Sequence, residues 1–337
     1  MSKIASFGEV MMRLEVPRYA TLEQSSTLLY SFSGTGVNVV SALSRFGHQG
    51  ILWSVLPQNA LGDAAISYLR RLGIQTEYVV RDGKYIGSYF LEQGFGVRQS
   101  RVTYSDRWGS SFNTADFKKF SFENYLDDID AVHRCGITLA MNDQIRQALR
   151  RIALSAKKAG KLVIFDCNYR PSLWGEAGYE LARPHYAEIL QLSDIVFMNE
   201  MDAIHLLGLP TSETERKAQL EQLIPLVAKS YGVQTVSGTH RKINEDGTHS
   251  LNGYIFKKGK FHYSDPKSFT VYDRVGAGDA FASGIIHGEL TGKHPSDSVQ
   301  FAVVAAMLAH TVGGDTPIAT EQEILQAMQH GMRDVSR

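Results

Sequence analysis

Strands alternating with helices predict an α/β fold with a mostly parallel central sheet, covered by helices on both faces. Two observations carry that expectation. Apolar runs of strand length recur along the 337-residue chain, with helical stretches between them. Several of these runs end in polar residues, where open α/β sheets bind their ligands.

Ile4–Val10 reads as the first strand. A small-residue turn, Ser33-Gly34-Thr35-Gly36, opens a helix that ends at Gly47. Gly50–Val55 is the next strand, and Ala131–Ile137, Leu162–Asp166, Ile195–Asn199 and Val233–Ser237 follow. Helices such as Asp143–Gly160 and Ser212–Tyr231 lie between them. The polar strand ends are Asp166-Cys167-Asn168, Asn199-Glu200 and Ser237-Gly238-Thr239. Each alone is ordinary loop chemistry; as a set they mark one edge of the sheet as a site.

Two segments break the alternation. Pro17–Ser33 has no helical period, and Tyr85–Tyr104 reads as two strands around a hairpin turn, Gly94-Phe95-Gly96. Insertions at about 13–33 and 84–108 thus predict a small sheet beside the main one. It serves as a lid or as a pairing surface for a second copy. No low-complexity linker or repeat interrupts residues 1–337, so the chain reads as a single domain.

Lys plus Arg balance Asp plus Glu at 35 each, so no global field draws the chain to nucleic acid or membrane. Cys135 and Cys167 fall in predicted buried strands, which disfavours a disulfide framework. The first residues read as a strand rather than a signal peptide, and no apolar run spans a bilayer. A cytoplasmic protein is expected. The histidines form no His-x-x-x-His pair and there is no Cys-x-x-Cys, which disfavours structural zinc.

Val275-Gly276-Ala277-Gly278-Asp279-Ala280-Phe281 is the most informative stretch. Small residues let backbone N–H groups approach a polyphosphate, and the new helix adds unpaired donors and its dipole. Asp279 on the first turn is placed to take a proton from an attacking alcohol. Alone, the motif is equally a Gly-rich turn with an Asp cap. The turn at Gly34 is neither Gly-x-Gly-x-x-Gly nor a Walker A loop, which disfavours a dinucleotide fold. Gly34 and Gly36 admit a ligand close to the backbone. Asn38 binds a ligand hydroxyl or is a solvated residue at the helix start.

Taken together, the chain resembles the ribokinase-like (PfkB) carbohydrate kinases over nearly its whole length. Gly8-Glu9, the Gly34–Asn38 signature, Asn199-Glu200 and Asp273-Arg274-Val275-Gly276-Ala277-Gly278-Asp279 carry the resemblance. It implies a ribokinase-like αβα sandwich with a β-sheet lid, and the use of ATP and Mg²⁺. By motif, Asp279 is similar to the family's base. The backbone of Gly276, Ala277, Gly278 and Asp279 is similar to its anion hole. Asn199 and Asp202 match an Asn-x-x-Glu motif that organises Mg²⁺ through water, with Asp in place of Glu; Glu200 is the alternative acid. Gly238 and Thr239 are expected near the triphosphate or ribose, although a second family glycine is missing. Asn244–Gly247 and Asn252-Gly253 read as turns. Ala305–His310 is expected beneath adenine or as a plain core helix. Asp273 lies where some relatives bind a monovalent cation, but Arg274 replaces a Thr there.

Within the family the details resemble the branch acting on 2-keto-3-deoxygluconate. Asp166-Cys167-Asn168-Tyr169-Arg170, Leu173-Trp174 and the lid segment Tyr104-Ser105-Asp106-Arg107 point that way. That resemblance implies transfer of phosphate to the sugar acid's terminal hydroxyl, giving a 6-phosphate. Arginine forks suit a carboxylate. Arg107 and Arg170 therefore bind the acid or serve structural ion pairs, and Tyr89 covers the substrate or packs the lid. Gly34, Asn38, Tyr89, Tyr104, Arg107 and Arg170 form the expected sugar site. The alternative is a fructokinase or another neutral-sugar kinase. A homodimer through the lid is a further expectation.

Overall fold

The structure is a computed structural model and describes residues 1–176 and 178–330. Its strands are β1 (Lys3–Phe7), β2 (Met11–Val16), β3 (Leu29–Ser33), β4 (Gln49–Leu56), β5 (Val79–Arg81), β6 (Gly87–Glu92), β7 (Arg101–Ser105), β8 (Ala131–Cys135), β9 (Leu162–Asp166), β10 (Ile195–Phe197), β11 (Thr235–Ile243), β12 (His249–Lys257), β13 (Lys260–Tyr263) and β14 (Lys267–Phe269). Its helices are α1 (Thr35–Arg45), α2 (Ala60–Arg71), α3 (Ser111–Thr114), α4 (Gly136–Leu139), α5 (Asp143–Lys158), α6 (Gly178–Gln191), α7 (Arg216–Tyr231), α8 (Ala277–Thr291), α9 (Pro295–Ala309) and α10 (Glu321–His330).

The main sheet runs β13-β12-β11-β10-β9-β8-β1-β4-β5, and β14 pairs with β12. From β5 to β11 all neighbours are parallel. These strands are buried on both faces, as a sheet sandwiched between helices requires. One core packs Phe7, Trp53 and Phe165 against α5, α6 and α7; the other packs Ile4, Ile164 and Phe197 against α1, α8 and α9.

The second sheet has the order β3-β2-β6-β7. The hairpin expected around Gly94 forms, with Tyr89 opposite Tyr104. The first strand is shorter than expected. It stops at Phe7, and Gly8-Glu9 carries the chain into lid strand β2. At the other edge β11 is longer than expected. It pairs with β12 over nine residues, from Thr235↔Lys257 to Ile243↔His249. Ser237-Gly238-Thr239 therefore lies inside a strand rather than in a loop. Asn252-Gly253 is likewise within β12 and is no turn, whereas Asn244 and Thr248 do close the hairpin.

The carboxyl ends of β1, β9 and β10 and the middle of β11 meet the start of α8 beneath the lid. Gly276 caps α8 at φ 82°, a left-handed conformation that glycine tolerates. A Cβ there would sit 1.7 Å from the Asp315 carbonyl, so the loop also needs a residue without a side chain.

Candidate active site

A cleft of about 710 Å³ lies between the lid and these strand ends, within the usual range for a small-molecule site. It is lined by Gly34, Asn38, Tyr89, Tyr104, Arg107, Arg170, Asn199, Asp202, Gly238, Thr239, Gly276, Gly278 and Asp279. The sequence-expected site residues are thus brought together. Ala277 is the exception, since its side chain turns inward onto Ala280 and Ala309.

Asp279 sits in the first turn of α8 and is buried. Burial pushes its carboxyl well above the usual range, and the charges of Asp166 and Asp315 add to the rise. A hydrogen bond from Asn38 Nδ2 to Asp279 Oδ2, 2.7 Å, opposes it. Asn38 is therefore no solvated residue. It is buried, and its Oδ1 accepts from Thr316 Oγ1 at 3.2 Å, which fixes the amide toward the acid. The N–H groups of Ala277, Gly278 and Asp279 precede the first helical bond, from Ala280 N–H to the Gly276 carbonyl. They are the unpaired donors of a helix start, at the cleft floor.

Arg107 and Arg170 differ in kind. Arg107 is buried, and its Nε donates to Glu9 Oε2 at 2.7 Å. Glu9 also accepts from Ser110 Oγ (2.7 Å) and Asn113 Nδ2 (3.1 Å). Arg107 is thus both ion-paired and cleft-facing, with its guanidinium over the Tyr104 ring at 5.4 Å. Arg170 is exposed, and its Nη1 donates to the Tyr169 carbonyl at 3.1 Å. Its charge holds down the pKa values of Asp166, Asp202 and Asp279. Tyr89 does not hold a free hydroxyl over the cleft. It donates to Asp315 Oδ2 and lies 3.1 Å from Ser33 Oγ.

Asn199 and Asp202 form a reciprocal cap. Asn199 Oδ1 accepts from Met201 N–H at 2.9 Å, and Asp202 Oδ2 accepts from Asn199 N–H at 2.9 Å. The shorter Asp side chain thus still closes onto the Asn199 backbone. Glu200 does not replace it, because Arg216 (2.6 Å) and His240 (2.7 Å) hold that carboxylate away in the core. Burial pushes Asp202 up to about 6 and Asp166 up to about 7. Among the described residues, no group of three or more His, Cys, Asp or Glu converges to hold a metal. Asn199, Asp202 and Asp166 fit a magnesium ion carried mainly by phosphate oxygens and water.

Gly238 is explained by packing. A Cβ on it would lie 2.2 Å from the Met198 carbonyl, so β11 needs glycine to close on β10's end. Sequence reasoning gave no role to Glu9, Asp166, Asp315 or Thr316. Asp166 was visible as a polar strand end. Asp315 stands in Gly313-Gly314-Asp315, but its partners lie on the lid, far away in sequence.

The family model for pfkB family carbohydrate kinases matches residues 1–322. A candidate 2-keto-3-deoxygluconate kinase from Enterococcus faecalis is 38% identical; the match covers 100% of this chain and 99% of that one, with a TM-score of 0.96. The 2-dehydro-3-deoxygluconokinase of Thermotoga maritima is 31% identical over 97% of this chain and 99% of its own, with a TM-score of 0.91. A 2-dehydro-3-deoxygalactonokinase from Haloferax volcanii is 27% identical over 100% of this chain and 99% of its own. Among the described residues no helix is long and apolar enough to cross a membrane. With its α/β core, its separate lid sheet and a family match over nearly all its length, the chain belongs to the pfkB family of carbohydrate kinases.

Proposed function

We propose that the protein transfers the γ-phosphoryl group of ATP to the terminal hydroxyl of 2-keto-3-deoxygluconate, giving the 6-phosphate. One observation carries the choice of a sugar acid. Two arginines, Arg107 and Arg170, line the cleft that holds Asp279. A neutral sugar such as fructose gives them no carboxylate to bind. The names of the E. faecalis and T. maritima relatives support the same choice.

Asp279 takes the proton of the hydroxyl as general base. Asn38 occupies Oδ2 and leaves Oδ1 for the sugar. The backbone N–H groups of Ala277, Gly278 and Asp279, in the loop opened by Gly276, stabilise the charge on the transferring group. Magnesium supplies further charge neutralisation; Asn199 and Asp202, with Asp166, would hold it through water. Gly34 and Tyr104 line the sugar's end, and Gly238 and Thr239 flank the nucleotide. A second hollow of about 300 Å³, lined by Ala305, Leu308, Ala309 and Ile318, suits adenine. Its Ala309 packs on Ala277, next to the anion hole.

Residues 1–337 act as one domain, with the lid as an insertion. A second copy covers exposed lid residues such as Leu29, Tyr30 and Val102. Light scattering that shows a monomer overturns that dimer. Both thiols, Cys135 and Cys167, are free and buried, which fits a cytoplasmic enzyme.

ADP release with Mg-ATP on 2-keto-3-deoxygluconate, its galactonate epimer, fructose, ribose and gluconate tests the proposal. Strong turnover on the keto-deoxy acids alone is expected. Turnover on fructose or ribose instead overturns the carboxylate roles of Arg107 and Arg170.

A further inference from the structure

The resemblance raises a monovalent cation beside Asp273, and the residues present do not fit one. The carboxylate of Asp273 is already saturated. Its Oδ1 accepts from the N–H groups of Arg274 (2.6 Å) and Val275 (3.1 Å). Its Oδ2 accepts from Arg13 Nη2 (3.1 Å), Gln93 Nε2 (3.1 Å) and Gly314 N–H (3.2 Å). A metal ion there would meet donor hydrogens rather than lone pairs.

We infer that the Arg13 guanidinium is a fixed internal cation that takes the place of a monovalent metal and sets the anion-hole loop. Arg13 stands on lid strand β2 and is 1% exposed. Its Nη1 donates to Asp315 Oδ1, and its Nη2 reaches both Asp273 and Glu15. Burial opposes the charge, but the three carboxylates that surround it outweigh burial and push the guanidinium pKa up. A buried arginine is stable only with such partners.

Two routes lead from Arg13 to the loop that precedes α8. Through Asp273, it fixes the acceptor of the N–H groups at Arg274 and Val275, which turn the chain into Gly276. Through Asp315, it fixes the backbone against which Gly276 packs with no room for a Cβ. Tyr89, from lid strand β6, grips the other oxygen of Asp315. Two lid strands thus converge on the carboxylates that shape the anion hole. Arg13 touches no reacting atom, so it is a positioning residue. Its effect on turnover rests on the kinase reading; the missing cation requirement of the fold does not.

The experiment uses the whole chain in two media of equal ionic strength, one with potassium and one with tetramethylammonium. Turnover and melting temperature of the unaltered protein are expected to be the same in both. A potassium-dependent rise in either overturns the inference. Arg13→Ala is expected to lose about tenfold or more in kcat, with KM for the sugar changed less. Millimolar guanidinium or potassium is expected to restore part of that loss, and Arg13→Lys to retain more activity than Arg13→Ala. Wild-type turnover in Arg13→Ala, or no rescue by either cation, overturns it. If the unaltered protein turns over no sugar in any medium, the kinase reading fails instead. The melting comparison still decides, because only Arg13→Ala is expected to gain stability from potassium.

Discussion

Asp279, the base in the proposed reaction, is a buried carboxyl bound by Asn38, and its ionisation is adjustable by neighbours. Burial raises the Asp279 pKa, so kcat/KM is expected to climb with pH on an acid limb above the ordinary carboxylate range. The Asn38 bond favours the charged form. Asn38→Ala should therefore raise the pKa again and move that limb to higher pH. Arg170→Ala should move it the same way, because the arginine charge lowers Asp279, Asp202 and Asp166 together. It should also weaken acid substrates more than neutral ones; a limb that stays put, with equal losses on all sugars, rules out both roles. Asp279→Asn should cost about 10²–10⁴ in kcat with little change in substrate Kd. The same substitution should raise the melting temperature at neutral pH. A carboxyl with a raised folded pKa helps folding only while protonated, and that help is lost as pH rises past its unfolded value. Asn never carries the buried charge. A lower melting temperature for Asp279→Asn contradicts this account.

At the scale of elements, periodicity and local chemistry reveal the parts whose partners are near in sequence. The parallel strands, the start of α8 and the lid hairpin around Gly94 were all legible for that reason. The end of β11 was not. Ser237-Gly238-Thr239 looks like a loop, since glycine weakens a strand. Nine pairings with β12 override that preference. Glycine is needed there because β10's end comes so close. Gly238→Ala should thus cost about 1–3 kcal/mol of stability from overpacking, read as a lower urea midpoint. An unchanged midpoint means β10 and β11 can part without cost. The site showed the same limit. Asp279, Gly276 and Asn199 announce themselves by motif, whereas Glu9 with Arg107 and Asp315 with Arg13 are separated by 98 and 302 positions. No local pattern predicts such pairs.

Across the whole molecule, these long-range pairs tether the lid to the core. Arg107 holds Glu9, Tyr89 holds Asp315, and Arg13 holds Asp315 and Asp273. In the proposed reaction a lid held this way would keep water from the nucleotide, so that a sugar hydroxyl is the acceptor. Glu9 is the point to test, because its carboxylate gathers Arg107, Ser110 and Asn113 onto the carboxyl end of β1. Glu9→Gln keeps the shape and removes the charge, leaving the Arg107 guanidinium buried without its counter-ion. Breaking one partner of a buried pair costs about 3–5 kcal/mol, which should appear as a lower melting temperature. Turnover on the sugar acid should fall, and ATP hydrolysis in the absence of sugar should rise as the lid loosens. Measuring ADP release with and without the acid separates the two effects. A variant that melts earlier yet keeps the wild-type ratio of sugar-dependent to sugar-free turnover would show that the Glu9–Arg107 pair holds the fold and not the lid.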